Sequence, residues 1–144
     1  MKFLSVIMFT IMACGFALGQ SHEDITMISF TKQNRGYLDE VVVSRDSVHG
    51  VVENHKMPEN SRNYSTAIHA DDWAKLMIAL KDVPLESIDG LQSPTTNRAH
   101  DGAAHSSIVI TFEGGQSISH SFDDENPHPD LAPLLKALLE FRVH

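Results

Sequence analysis

Imidazoles and carboxylates crowd one short stretch of the chain, SHSFDDENPHPD from Ser119 to Asp130, with His120, His128 and the consecutive acids Asp123, Asp124 and Glu125. These side chains are metal ligands by type. Imidazole nitrogen with carboxylate oxygen suits zinc, and carboxylates with fewer histidines suit calcium. A second group, His100, Asp101 and His105, lies upstream in the long polar loop SPTTNRAHDGAAH. The two groups meet only if the hairpin between them has the right register.

That register can be argued. A two-residue turn at Gly114-Gly115 would set Ile108, Ile110 and Phe112 on one face with Ser117, Ser119 and Ser121. A three-residue turn, with Gly115 left-handed in a bulge, aligns them with Ile118, His120 and Phe122. The second choice makes one apolar face and is preferred. Ile108 then faces His120 and residue 104 faces residue 124. His100, Asp101, His105, Asp123, Asp124, Glu125 and His128 become the candidate metal ligands.

The spacing matches no named metal motif. There is no HExxH and no CxxC, and the acids are adjacent rather than alternating as in an EF-hand loop. A structural explanation covers the same residues. Asp130 is a natural helix N-cap, and Pro127 and Pro129 fix an extended approach. The acids 123–125 form a solvated turn near the positive end of a helix. His120, on the apolar face, reads as a hydrogen-bonded core histidine. On this reading no cofactor is expected; a divalent metal is the alternative.

Other chemical signals are thin. His49, Val51, Glu53 and His55 alternate and share one strand face, with His69 on the next strand, and that face reads as solvated. Neither a GxSxG elbow nor a Gly-rich phosphate loop occurs. The only cysteine is Cys14, within the N-terminal leader. A cysteine nucleophile is therefore not expected in the exported domain. Asn63-Tyr64-Ser65 is a glycosylation sequon, relevant only to a eukaryotic source.

The elements that must position these residues follow from periodicity. β-Branched and alternating runs predict strands over 25–33, 37–44, 48–55, 64–69, 106–113 and 116–123. Gly50 in the third hints at a bulge or a close backbone approach. Trp73, Leu76, Met77 and Leu80 fall on one helix face, with Asp71 and Asp72 in its first turn. Leu131, Leu134, Leu135, Leu138 and Phe141 form a second apolar stripe. The fold class is α+β: an antiparallel sheet of about six strands in the order ββββ-α-ββ-α, with two amphipathic helices on one face.

Residues 1–19, MKFLSVIMFTIMACGFALG, read as a signal peptide ending in the small-x-small pattern Ala17-Leu18-Gly19. The apolar run, at about 11 residues, falls short of the roughly 20 a membrane span needs. A competing route makes Ile11-Met12-Ala13-Cys14-Gly15 a lipobox with Cys14 lipidated. Residues 20–144 then form a single domain, long enough to bury a two-layer core without disulfides. The formal charge is -8, and a leader with one Lys and no acid leaves the remainder more negative still. Such a surface repels phosphate backbones, so nucleic acid is not an expected partner. No integral membrane span is expected once the leader is removed.

One pattern then looks familiar. The helix bearing Trp73 is followed by Pro94-Thr95, Asp101-Gly102-Ala103, a hairpin ending Ser119-His120-Ser121-Phe122-Asp123, and Pro127-His128-Pro129 before a Leu-rich helix. Over roughly residues 73–140 this resembles small exported proteins of uncharacterised function from Bacteroidetes-type bacteria. Gln20 after the cleavage site suits that group. The resemblance implies a periplasmic or secreted protein, or a lipid-anchored envelope one, and transfers no catalytic residues. The expected function is a non-enzymatic binding or accessory protein of the cell envelope. Its protein partner would meet the sheet face not covered by helices or the loop at 92–105. A zinc-type metal protein is the alternative, and a small hydrolase a distant third.

Overall fold

Six antiparallel strands form one sheet in the order β4-β3-β2-β1-β5-β6. The computed structural model describes residues 19–99 and 102–142. The strands are β1 (Ile25–Asn34), β2 (Tyr37–Ser44), β3 (Ser47–Asn54), β4 (Arg62–Ala67), β5 (His105–Phe112) and β6 (Ser117–Asp123). Helix α1 (Ala70–Leu80) follows β4, and α2 (Ala132–Leu139) follows β6. The expected antiparallel sheet with helices is present. The leader expected over 1–19, Cys14 included, falls almost wholly outside the described residues, as do His100 and Asp101.

Alternation explains which side of the sheet is buried. Ile28 and Phe30 of β1, Val41 and Val43 of β2, Ile108 and Ile110 of β5, and Ile118 and Phe122 of β6 point to one face and are buried there. Leu76 and Leu80 of α1 and Leu134, Leu135 and Leu138 of α2 join the same cluster, with Trp73 and Met77 half-buried at its margin. Each fully buried aliphatic contributes about 1.5–3 kcal/mol relative to exposure. The hairpin has the register that makes one apolar face, with Ile108 opposite His120 and Ile110 opposite Ile118. Gly114 and Gly115 both take positive φ, 89° and 88°, as the turn requires.

The other side of the sheet carries rows of small polar and aliphatic residues. One row runs Ser65, His49, Val42, Ser29, Val109 and Ser119 across all six strands. Gly50 of β3 is a close approach, not a bulge. A Cβ there would lie 1.9 Å from the Tyr64 ring, which lies over the glycine. At the β6 edge, the carboxylate of Asp89, in a 3-10 turn over Leu85–Gly90, accepts the Ser119 amide at 2.6 Å.

Two local expectations are corrected. His69 is not on the fourth strand, which ends at Ala67; it precedes α1, where the Asp72 carboxylate accepts its amide at 3.4 Å. Asp130 is not the cap of the last helix. Pro129 starts a 3-10 turn over Pro129–Leu131, and His128 caps it, its Nδ1 accepting the Asp130 amide at 3.3 Å. Proline needs no amide partner at the first position of such a turn, so the helical path begins earlier than Asp130.

Candidate functional site

The end of β6 and the long loop meet at one buried carboxylate. Asp123 is buried with its side chain only 2 % exposed. Oδ2 accepts the Thr95 hydroxyl at 2.6 Å and the Asn97 amide at 2.5 Å, and Oδ1 accepts Arg98 Nη1 at 2.9 Å and the Arg98 amide at 3.3 Å. Burial pushes this carboxyl up, but the Thr95 hydroxyl and Arg98 guanidinium outweigh it and bring its pKa down to about 2. A segment with little regular structure is thereby pinned over the end of the sheet. Its own turns help: Ser93 Oγ donates to the Thr95 carbonyl at 2.7 Å and accepts Arg98 Nη1 at 3.3 Å.

The remaining candidate ligands have separate positions. His105 is exposed and sits directly across from Asp123 in the hairpin. Asp124 takes φ 50°; its Oδ1 accepts the Ala104 amide at 2.9 Å, and its carbonyl accepts the Ser106 hydroxyl. Glu125 pairs with Lys32 at 3.2 Å and Arg142 at 3.0 Å. These cations outweigh the opposing effect of burial and hold its carboxyl below the usual range. His128 lies 3.6 Å from Asp130. Among the described residues, no three His, Cys, Asp or Glu side chains form a group that could hold a metal.

His120 occupies the core position that alternation implies. Its Nε2 accepts the His128 amide at 3.0 Å, so the proton of the neutral ring belongs on Nδ1. Burial lowers its pKa. The Leu91 carbonyl nearby favours the proton, yet no hydrogen bond is closed at Nδ1 among the described residues. The ring stacks on Phe122 at 5.3 Å, Phe122 on Phe30 at 6.3 Å, and the Arg142 guanidinium lies 5.3 Å over Phe30. At the far end of this row Arg142 meets Asp39 at 2.8 Å.

Beside the Asp123 knot lies a cleft of about 730 Å³. Its wall takes Gln33, Asn34 and Arg35 from the β1–β2 turn, Lys56 from beyond β3, Arg98 and Gly102–Ala103 from the long loop, and His105 from β5. Hydrogen bonds hold these turns in place. The His55 amide donates to the Gly36 carbonyl at 2.9 Å, tying the end of β3 to the β1–β2 turn. Asn54 Oδ1 accepts the amides of Lys56 and Met57, each at 3.0 Å. The size suits a small molecule or a few residues of a peptide.

Of the cleft residues, only His105 stood out from residue type and spacing. Arg35, Lys56 and Arg98 are isolated cations far apart in the chain, and only the fold unites them. A usable signal existed: each sits in a turn or loop of a chain with excess acid. No protein-family model, curated protein or solved structure matches this chain. Among the described residues, no helix is long and apolar enough to cross a membrane.

Proposed function

We propose that the chain is a small exported binding or accessory protein of the bacterial cell envelope, non-enzymatic, which takes its ligand or partner at the loop-bearing end of the sheet. Export rests on the leader-like residues 1–19. The binding reading rests on one observation. A cleft of about 730 Å³ lies where the long loop, pinned by Asp123, meets the β1–β2 turn. Binding residues concentrate on loops held by a rigid scaffold, and this loop is held by several hydrogen bonds to one carboxylate.

The test is an amide-resolved NMR titration of the chain against a fragment library. Perturbations clustered at 33–35, 56, 98 and 102–105 support the reading. Perturbations clustered instead at Ser65, Val42, Ser29 and Val109 would move the partner to the open sheet face and overturn it.

The register that sets His105 opposite Asp123 favours a second reading, a zinc-type metal protein using the His/Asp cluster at the end of the last hairpin. A saturable rise in melting temperature with zinc, lost in both His105→Ala and His128→Ala, would favour that reading over the first.

A further inference from the structure

We propose that the cleft binds a small oxyanion-bearing ligand, its carboxylate or phosphoryl group held between Arg35, Lys56 and the unengaged side of the Arg98 guanidinium. The inference rests on the binding reading above and names the ligand's chemistry.

Charge is the first ground. The chain has a formal charge of -8, yet the described lining of the cleft holds three cations and no carboxylate. A local reversal of sign inside a concave wall concentrates field where a ligand would enter. Asp123, the acid paired with Arg98 at 2.9 Å, is almost wholly covered.

The second ground is how the three cations are held. Arg98 commits Nη1 to Asp123 and Ser93, while Nε and Nη2 make no hydrogen bond among the described residues. A guanidinium fixed on one side and open on the other is oriented for a planar or forked oxygen pair. Arg35 and Lys56 are exposed and form no ion pair among the described residues. Their backbones are tied together through His55 and Gly36, so the two charges arrive at the cleft from linked turns.

The third ground is size. About 730 Å³ exceeds what a bare ion fills, so the cleft has room for the body of a molecule that carries the oxyanion. Gln33, Asn34 and the Gly102–Ala103 backbone offer neutral donors and acceptors to that body.

The experiment uses the full chain and three probes: citrate as a polycarboxylate, inorganic pyrophosphate as a phosphoryl ligand, and triethyl citrate as the uncharged control. Isothermal titration at low salt measures affinity, and amide shifts locate the site. The expected result is saturable binding of at least one anion, weaker at higher salt. Arg35→Ala and Lys56→Ala, both exposed and so neutral to folding, should each reduce affinity about tenfold. Whichever of citrate and pyrophosphate binds more tightly identifies the oxyanion source. Anion binding unchanged in both variants overturns the proposal. Triethyl citrate shifting the cleft amides while neither anion does overturns it too, but leaves the binding reading standing. No probe or library fragment shifting these amides overturns both.

Discussion

Two buried aspartates, Asp123 at the end of β6 and Asp39 in β2, are treated differently. Asp123 accepts four hydrogen bonds, three from neutral groups and one from a guanidinium, and its pKa falls to about 2. Asp39 faces Arg142 at 2.8 Å, but that approach closes no well-directed hydrogen bond, and Asp39 Oδ1 has no partner among the described residues. Tyr37 reaches it only at 3.5 Å. Burial dominates, with Glu125 nearby adding repulsion, and the Asp39 carboxyl is raised despite Arg142. A matching cation is therefore not enough. Oxygen lone pairs must be satisfied by directed donors before a buried carboxylate favours folding. Asp123 organises a loop and the wall of a cleft, whereas Asp39 is a cost offset in part by anchoring Arg142.

The largest effect should come from Asp123→Ala. The change orphans the Thr95 hydroxyl, two amides and a partly buried guanidinium at once. We expect the melting midpoint to fall by about 10 °C or more, with hydrogen-exchange protection lost first over 93–98. A drop no larger than that of Arg142→Ala would erase the contrast.

The contrast was only half legible from residue order. Val41 and Val43 lie on the core face, and strand alternation puts Asp39 there with them, so its burial could have been read from the spacing. Its partner could not, because Arg142 lies at the other end of the chain and only tertiary packing brings it across Phe30. The hairpin register was legible because one choice alone made an apolar face. The loop over Asp123 was not. Its path depends on irregular turns at Ser93–Ala99 that carry no periodic signal, and the cleft it helps build stayed hidden with it.

Arg142→Ala comes next. It leaves Asp39 buried without its cation and Glu125 with Lys32 alone, and it strips a cation from the Phe30 ring. The expected loss is about 2–4 kcal/mol in chemical denaturation. Asp39→Asn in the same background should recover part of it, because the uncompensated charge is then gone. Simple additivity of the two would show that the residues do not interact.

His120 adds a smaller, pH-dependent loss. Its pKa is lowered in the folded state, so the unfolded chain binds the extra proton first. Stability should fall as pH drops below about 6.5, the ordinary histidine value. His120→Gln should flatten that limb of the stability–pH curve, leaving the more acidic one in place. An unchanged limb would mean that another group carries it.

Asp39→Asn in the native background should have the smallest effect, and a sign that depends on pH. Asp39 has a raised folded pKa, so its stability contribution is present below the unfolded value near 4 and is lost as pH rises through the folded one. Asparagine removes that loss. The variant should lie within about 1 kcal/mol of the parent, and it should gain on the parent between pH 3 and pH 7. Asp123 is the mirror case. Its lowered pKa gives stability that is present above about 4 and lost as pH falls toward about 2. The penalty of Asp123→Asn should therefore shrink in acid, while the benefit of Asp39→Asn appears only at neutral pH. Opposite pH trends in the two asparagine variants, measured by denaturant titration, would fix the difference between the carboxylates. Parallel trends would mean that Arg142 satisfies Asp39 as fully as the loop satisfies Asp123.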